Sequence, residues 1–497
     1  MSGVLHELSA VEEFARLHDD GELPVAERTY RSLVPASPPG PGQQYGFEVD
    51  LDACTGCKSC VVACHNLNGL DADEAWRSVG LLRSRTPALA LQQTVTTACH
   101  HCVEPACLQG CPVDAYEKDP VTGIVAHLDD QCIGCGYCMW MCPYEVPQFS
   151  EKRGIVRKCD MCQDRLGAGE APACVQSCPT SAISIGIVDV TTARAEAATG
   201  GSLVPGAPLS SRTVPTTVYL TTRPAVAGLE AADRDTIRPS HAHPPLALML
   251  VLTQVAVGAV LVDAVMGGGG AVLGAVMGIV ALVASIGHLG RPQYAFRAVL
   301  GFRHSWLSRE VVAFGAFGPL AAAAGFDDVF AAVAAVAGIV GVGCSVMIYA
   351  ACGRRWWSLP STARRFGLTT VLGGMAATLA VAASTGSSVD GLALAVVVLT
   401  VAKLAGDAVV LVPRRSAHPE LVRTAQLLRG ELARATTARF LLGGVGGVVA
   451  PALASVVTSG AGAVAVLGFA LLVAGELVER SLFFTAEAGP RMPGARP

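Results

Sequence analysis

Sixteen of the chain's 18 cysteines lie between Cys54 and Cys178, in four groups of four. Cys54, Cys57, Cys60 and Cys64 form the first group. Cys99, Cys102, Cys107 and Cys111 form the second, with a longer middle gap, and Cys132, Cys135, Cys138 and Cys142 the third. The fourth is Cys159, Cys162, Cys174 and Cys178, with an eleven-residue insertion in its middle gap. Pro112, Pro143 and Pro179 follow the last cysteine of three groups, and His65 takes that place in the first. Such clusters could build a disulfide framework in a small secreted domain. The N-terminal "MSGVLHELSAVEEFARLHDD", however, is acidic, without an apolar h-region or twin-arginine pair, so nothing there reads as an export signal. Thiolates also bind zinc, but one tetrahedral ion takes four ligands, usually from two separated pairs. Three cysteines at x2 and x2, then a fourth after x3 and Pro, are instead the spacing of paired iron–sulfur cubes. A short loop wraps three sulfurs around one cube, and the exiting turn aims the fourth at the neighbouring cube. Sixteen ligands at four per cube predict four [4Fe–4S] clusters in two pseudo-repeated, ferredoxin-like halves of an α+β domain.

The elements that must position these ligands change character along the chain. Residues 1–44 read as a polar arm ending in a Pro-rich stretch. Residues 45–190 carry short apolar runs and Gly/Pro/Asp punctuation, as expected of loops wrapped on ligated metal, which replaces part of an apolar core. Residues 191–243 read as a linker, with "TTVYLTT" as a strand returning to the cysteine domain. From 244 to 485 eight apolar segments of membrane-spanning length recur, at about 246–266, 271–290, 309–326, 329–352, 366–385, 389–412, 439–459 and 461–480. They are apolar all round, which predicts an all-α transmembrane bundle of eight helices rather than the core of a soluble domain. A tail, 486–497, closes the chain. Composition agrees: 52% of residues are hydrophobic, 15% charged, and the net charge of −4 gives no ground for nucleic acid as a partner.

Loop charges set the expected topology. Fourteen arginines, among them Arg291, Arg303, Arg355, Arg364 and Arg434, occupy alternate connections, while "GGGG", "FDD", "TGSSVD" and "TSGAG" carry no Lys or Arg. Eight spans put both termini and the cysteine domain on the arginine side, which the positive-inside rule makes cytoplasmic. Ionisable residues at span edges are functional candidates. His288 ends one span and Glu310 begins the next, and together they could bind a quinol head group and accept its two protons. Alternatively, His288 caps a helix and Glu310 neutralises Arg309. Lys403 and Asp407 read as an internal ion pair, Glu476, Glu479 and Arg480 as packing or interfacial groups, and Asp263 as an edge charge. Cys344 and Cys352 read as small buried apolar residues, and Trp356 and Trp357 as interfacial anchors.

The stretches "QYGFEVDLDACTGCKSCVVACHNLN", "HHCVEPACLQGCPVDAYEKDPVTGIV", "CIGCGYCMWMCPYEVPQF" and "RKCDMCQDRLGAGEAPACVQSCPTSAI" resemble the four-cluster electron-transfer subunit of dimethyl sulfoxide reductase and its molybdoenzyme relatives. That resemblance implies the ligand sets. Cys54, Cys57, Cys60 and Cys178 would hold one cube, and Cys64, Cys159, Cys162 and Cys174 its partner. Cys99, Cys102, Cys107 and Cys142 would hold a third, and Cys111, Cys132, Cys135 and Cys138 the fourth. "HLGRP" followed by "SWLSREV" resembles the eight-helix anchor subunit of the same family, which oxidises menaquinol, and places the quinol histidine and glutamate at His288 and Glu310, with Arg291 as a further contact. The implied protein is a natural fusion, an anaerobic respiratory electron-transport component. It would take electrons from the membrane quinol pool and pass them to a separate molybdopterin subunit reducing dimethyl sulfoxide or a related S- or N-oxide, with no molybdopterin in this chain. Polysulfide- or tetrathionate-type reductases, or formate or hydrogen oxidation feeding quinone, would use the same architecture. A membrane ferredoxin without a molybdoenzyme is a different class again. With quinol site and clusters on one face, turnover is expected to be electroneutral.

Overall fold

The structure, a computed structural model, describes residues 31–84, 91–223, 229–267, 269–324, 327–412, 418–457 and 459–494. Residues 1–30 of the expected arm, with Arg414 and Arg415, lie outside these.

Alternation of buried and exposed residues along β1 (Gln43–Asp50) places Phe47 and Val49 in the core of the N-terminal half. This strand is the centre of a mixed sheet. It runs antiparallel to β8 (Ile183–Asp189), from Gln43↔Asp189 to Val49↔Ile183, and parallel to β9 (Val218–Leu220). A second sheet joins β2 (Ser78–Ser84) to β3 (Gln92–Thr97) and to β10 (Leu229–Ala231). Two small hairpins, β4 (Tyr116–Lys118) with β5 (Val125–His127) and β6 (Gln148–Ser150) with β7 (Ile155–Arg157), sit between the cysteine groups. The stretch read as strand and linker is therefore more structured than a linker. It contributes β9, β10 and the helix Val190–Ala198, whose N-cap Asp189 accepts from Thr192 N.

The C-terminal half is an all-α bundle. Among the described residues six helices are long and apolar enough to cross a membrane: Pro244–Met266, Val329–Ala350, Leu359–Ser384, Asp390–Leu411, Ala433–Val456 and Ala461–Thr485. This corrects the expected eight. The second expected segment is a 17-residue helix, Gly270–Ile286, and the third an 18-residue helix, Trp306–Ala323, with Arg309 and Glu310 in its first turns and Pro319 inside. The second stops four residues before its expected end, where the chain 287–305 leaves the helical path to dock on the cysteine domain, whereas the third is lowered in hydropathy by its own Arg309 and Glu310. Small residues allow tight crossings elsewhere; a Cβ on Gly258 would meet Thr370 O at 1.8 Å where Pro244–Met266 crosses Leu359–Ser384.

Two further expectations are corrected inside the bundle. Lys403 does not pair with Asp407. Its Nζ lies 2.5 Å from Glu476, while Asp407 pairs with Arg364 (3.4 Å) and Arg439 (3.2 Å). Arg439 also reaches Glu476 (3.0 Å), and Glu479 lies between Arg365 and Arg480 at 3.5 and 3.6 Å. Pairing, mostly across helices, gives each of these buried charges an opposite charge within 4 Å. Trp356 and Trp357 are buried rather than interfacial, both donating Nε1 to Phe483 O at 2.9 Å. Asp263 accepts from Gly270 N (3.0 Å) and so ties the first bundle helix to the second.

Candidate metal centres and their membrane junction

Three of the four cysteine groups turn sharply into a short helix. Lys58, Gly136 and Cys162, all with positive φ, immediately precede the helices α1 (Ser59–Leu67), α2 (Tyr137–Met141) and α3 (Gln163–Gly167). Cys142 follows the end of α2, where the extended backbone carries its sulfur away from those of Cys132, Cys135 and Cys138.

The chain brings cysteines from distant groups around common spaces. One cavity is lined by Cys54, Cys57, Cys60 and Cys178, and another by Cys99, Cys102, Cys107 and Cys142. The remaining eight fall into two neighbourhoods. Cys64, pushed up to about 12, owes most of its shift to burial, with Cys174 and Cys162 adding to it. Burial raises Cys135, with Cys111 and Cys132 adding to it, and burial raises Cys138, with Cys135, Cys111 and Cys132 adding to it. All sixteen are free thiols. Among the described residues no three Cys, His, Asp or Glu side chains converge tightly enough for one metal ion. Four soft sulfurs drawn from distant groups around one space suit an iron–sulfur cluster.

Two buried cations, not singled out in the sequence, complete this environment. Arg77 is 2% exposed, donates to Thr96 Oγ1 (3.2 Å) and lies over the Phe47 ring, but its Nε and Nη2 have no partner. The groups that act on its charge are the sulfurs of Cys174, Cys60, Cys159 and Cys64. Lys158 is buried beside Cys99, Cys107 and Cys159 and donates to Cys159 O at 2.8 Å. A buried cation with orphaned donors, as Arg77 is, fits a negatively charged group in the same space. Lys158 had a signal, since it directly precedes Cys159; Arg77 had none.

The loop Cys132–Cys142 is fastened to the bundle. Tyr137 donates its hydroxyl to Ile348 O at 3.0 Å, and Trp140 packs against His243, Tyr349, Trp357 and Phe484 with centroids 5.0–5.8 Å apart. From the other side, Gly290 N donates to Gly134 O (3.2 Å) and Arg291 N to Ile133 O (3.1 Å). Gly134 has φ +69°, and a Cβ there would meet Gly154 O at 2.3 Å. Arg291 donates Nη1 to Asp129 O (2.8 Å), Arg297 to Asp130 O (2.9 Å), His304 to Cys111 O (3.0 Å) and Ser305 to Gly110 O (2.7 Å).

Glu310 is 3% exposed and accepts from Ser345 Oγ; it lies within electrostatic reach of Tyr137. It is not paired with Arg309, whose guanidinium is held by Phe302 O and Arg303 O. His288 is half-buried beside His243, and its Nδ1 has no partner. His288 and Glu310 form no hydrogen bond or ion pair with each other among the described residues. Arg291 is engaged with the cluster loop instead. Burial, with His241 and His288 adding to it, holds His243 down to about 4.

Residues 91–188 match the family model described as a 4Fe-4S dicluster domain, and residues 241–486 the one described as DMSO reductase anchor subunit (DmsC). Over 158 residues the protein is 38% identical to the B subunit of anaerobic dimethyl sulfoxide reductase from Escherichia coli (strain K12), covering 29% of this chain and 75% of that protein. The subunit of the same name from Haemophilus influenzae is 35% identical over 156 residues, covering 30% and 76%. The formate dehydrogenase iron-sulfur subunit of Haemophilus influenzae is 36% identical over 155 residues, covering 28% and 50%.

Proposed function

The chain belongs to the family of iron–sulfur electron-transfer subunits of the dimethyl sulfoxide reductase and formate dehydrogenase type, fused here to a DMSO reductase-type membrane anchor, and on that premise we propose that it oxidises menaquinol and delivers the electrons to a separate molybdopterin subunit that reduces dimethyl sulfoxide or a related S- or N-oxide. The family role as a non-catalytic electron-transfer and anchor component of an anaerobic molybdoenzyme complex stands under this finer reading. The reading is carried by one observation: a cysteine loop, Cys132–Cys142, is fastened to the bundle edge that holds Glu310 and His288.

In this reading the four sets given by the family resemblance each hold a [4Fe–4S] cluster; two are supported by cavities that those very cysteines line, two by mutual proximity. When bound, the clusters supply one-electron transfer between the quinol edge and the partner. The residues of the chain do the rest. Glu310 accepts a quinol proton at its carboxylate while Ser345 fixes its orientation, and the unpartnered Nδ1 of His288 is free to bind the other quinol hydroxyl. Gly270–Ile286 packs along Pro244–Met266 and Trp306–Ala323 along Asp328–Ala350. Exposed Val272, Val276, Ile279 and Val283 give Gly270–Ile286 a lipid-facing side. The partner docks where Cys57 is exposed, beside exposed Val62 and Leu67. The arginine-rich connections put this half in the cytoplasm.

Purification from membranes, with pterin analysis of whatever copurifies, is the test. A large pterin-containing subunit and menaquinol oxidation coupled to S-oxide reduction are expected. A complex that reduces quinone from formate or hydrogen, and no S- or N-oxide, would give the second reading, which the 36% identity to a formate dehydrogenase subunit favours.

A further inference from the structure

A cavity of about 780 Å³ belongs to neither the cysteine sites nor the quinol edge. It lies where residues 206–238 of the N-terminal half meet the turn 350–358, the start of the helix Pro419–Arg429 and the tail 488–491. Seven arginines line it against three carboxylates, Glu230, Asp233 and Glu420. Three of the arginines are balanced: Arg234 by Glu230, Arg354 by Glu145 and Glu487, and Arg491 by Glu145. The other four, Arg212, Arg238, Arg355 and Arg423, form no ion pair among the described residues. The lining carboxylates are already engaged, Glu420 by Arg355 N and Asp233 by Gly494 N, each at 3.0 Å. Even with Glu145 and Glu487 counted, seven cations face five anions.

Arg212 and Arg423 are part-buried, donating to Ala351 O and Ala488 O respectively. Burial pulls both guanidinium pKa values down; at Arg423 Glu420 and Glu487 oppose it while Arg234 and Arg491 add to it, and at Arg212 Cys352 opposes it while Arg354 adds to it. Like charges gathered in a concavity are an unfavourable arrangement unless an anion occupies it. Guanidinium forks suit phosphate because they donate two parallel hydrogen bonds. The cavity also opens beside the first turn of Leu359–Ser384, where Leu359 is 51% exposed, so a charged group here sits at the depth of a lipid headgroup.

We propose that this cavity binds a phosphate-bearing anion, with the headgroup of an anionic membrane lipid as the nearest source, and that the anion bridges the two halves of the chain. Arg212 and Arg238 then hold it from the N-terminal half, Arg355 and Arg423 from the bundle.

The test uses the purified full-length chain with its clusters in place. Native mass spectrometry measures retention of phosphatidylglycerol, phosphatidylcholine or inorganic phosphate by the wild type and by Arg423→Gln, Arg238→Gln and Arg303→Gln. Arg238 is exposed, so its variant folds even if Arg423→Gln does not, and Arg303 is an exposed arginine outside the cavity. Phosphatidylglycerol should be retained over phosphatidylcholine, with retention falling about tenfold in each cavity variant and unchanged in Arg303→Gln. Visible cluster absorption reports intact folding. Retention of inorganic phosphate, lost in the same two variants, supports the site and makes free phosphate its source. Equal retention of the two lipids with no phosphate bound, or equal loss in Arg303→Gln, overturns it.

Discussion

Arg77→Gln should lower the reduction potentials of one pair of clusters and spare the other. Arg77 is buried, with two unpartnered nitrogens, and the groups acting on its charge are sulfurs drawn from two of the four ligand sets: Cys60 from one, and Cys64, Cys159 and Cys174 from its partner. Adding an electron to either centre adds negative charge beside this cation, so losing the cation makes reduction harder. At an effective dielectric near 20 and a separation of roughly 8 Å, one unit charge is worth about 2 kcal/mol. That is roughly 90 mV for a one-electron couple, since about 59 mV is a tenfold change. Gln retains a donor for Thr96 Oγ1, which stands 3.2 Å from Arg77 Nη1, so the main loss is charge. An EPR-monitored redox titration of the purified protein should show two of four potentials lowered by about this amount, with Arg77→Lys close to wild type. A uniform shift of all four potentials, or a shift in the Lys variant as large as in the Gln variant, would refute the electrostatic reasoning.

The ligand sets make a sharper qualitative prediction: Cys138→Ser should perturb one cluster and Cys142→Ser a different one in the same titration, and damage to a single cluster in both would disprove the pairing. Glu310→Gln should lower kcat for menaquinol oxidation about 100-fold, as loss of a proton acceptor does, whereas Ser345→Ala, which only frees the carboxylate, should cost about threefold. Comparable losses in the two variants would remove Glu310 from proton transfer. Met492 is 1% exposed, packed with Val49, Leu82 and Tyr144 in the N-terminal half, although it follows the last bundle helix. Met492→Ala should cost about 2–3 kcal/mol and lower the melting temperature of the solubilised chain by several degrees; no change would show that the tail is not a strap. Quinol oxidation in proteoliposomes should move no net charge across the membrane, and a measured membrane potential would contradict a proton release site on the cluster side.

What the sequence made legible was whatever has a short period. Cysteine spacing of two and three residues announced the metal loops, and long apolar runs announced the bundle. Positions set by long-range contact were not legible. Nothing near Arg77 in the chain shows that it ends between sulfurs of Cys60 and Cys174, about a hundred residues apart. Lys403 illustrates the same limit from the other side: spacing offered Asp407 on the same helix, but folding supplied Glu476 from another helix. The count of spans failed for a related reason, because apolar composition does not reveal that 287–305 is spent on docking. Nor did composition distinguish Trp356 and Trp357 at a lipid boundary from Trp356 and Trp357 donating to Phe483 O in the core.

The polarity of that docking has a chemical logic. At the junction with the loops carrying Cys111 and Cys132, apart from the Tyr137 hydroxyl that donates to Ile348 O, the membrane half supplies the donors and the cysteine loops supply carbonyl acceptors: Gly290 N to Gly134 O, Arg291 N to Ile133 O, Gly301 N to Pro112 O, His304 to Cys111 O, Ser305 to Gly110 O and Ser308 to Pro112 O. A loop that holds metal through sulfur needs its own N–H groups for the sulfurs, because those hydrogen bonds tune the potential. Ala115 N reaches Cys111 Sγ at 3.3 Å, and Gly134 N reaches Cys132 Sγ at 3.4 Å. Docking through N–H groups would have drawn on the same donors. Docking through carbonyls fastens the loop to the membrane and leaves the donors on the sulfurs. The same residue can then do both, as Gly134 does with its carbonyl to Gly290 and its N–H to Cys132. Fusion of the two halves in one chain holds this arrangement in register, because the connection 287–305 between two bundle helices is the segment that supplies most of the donors.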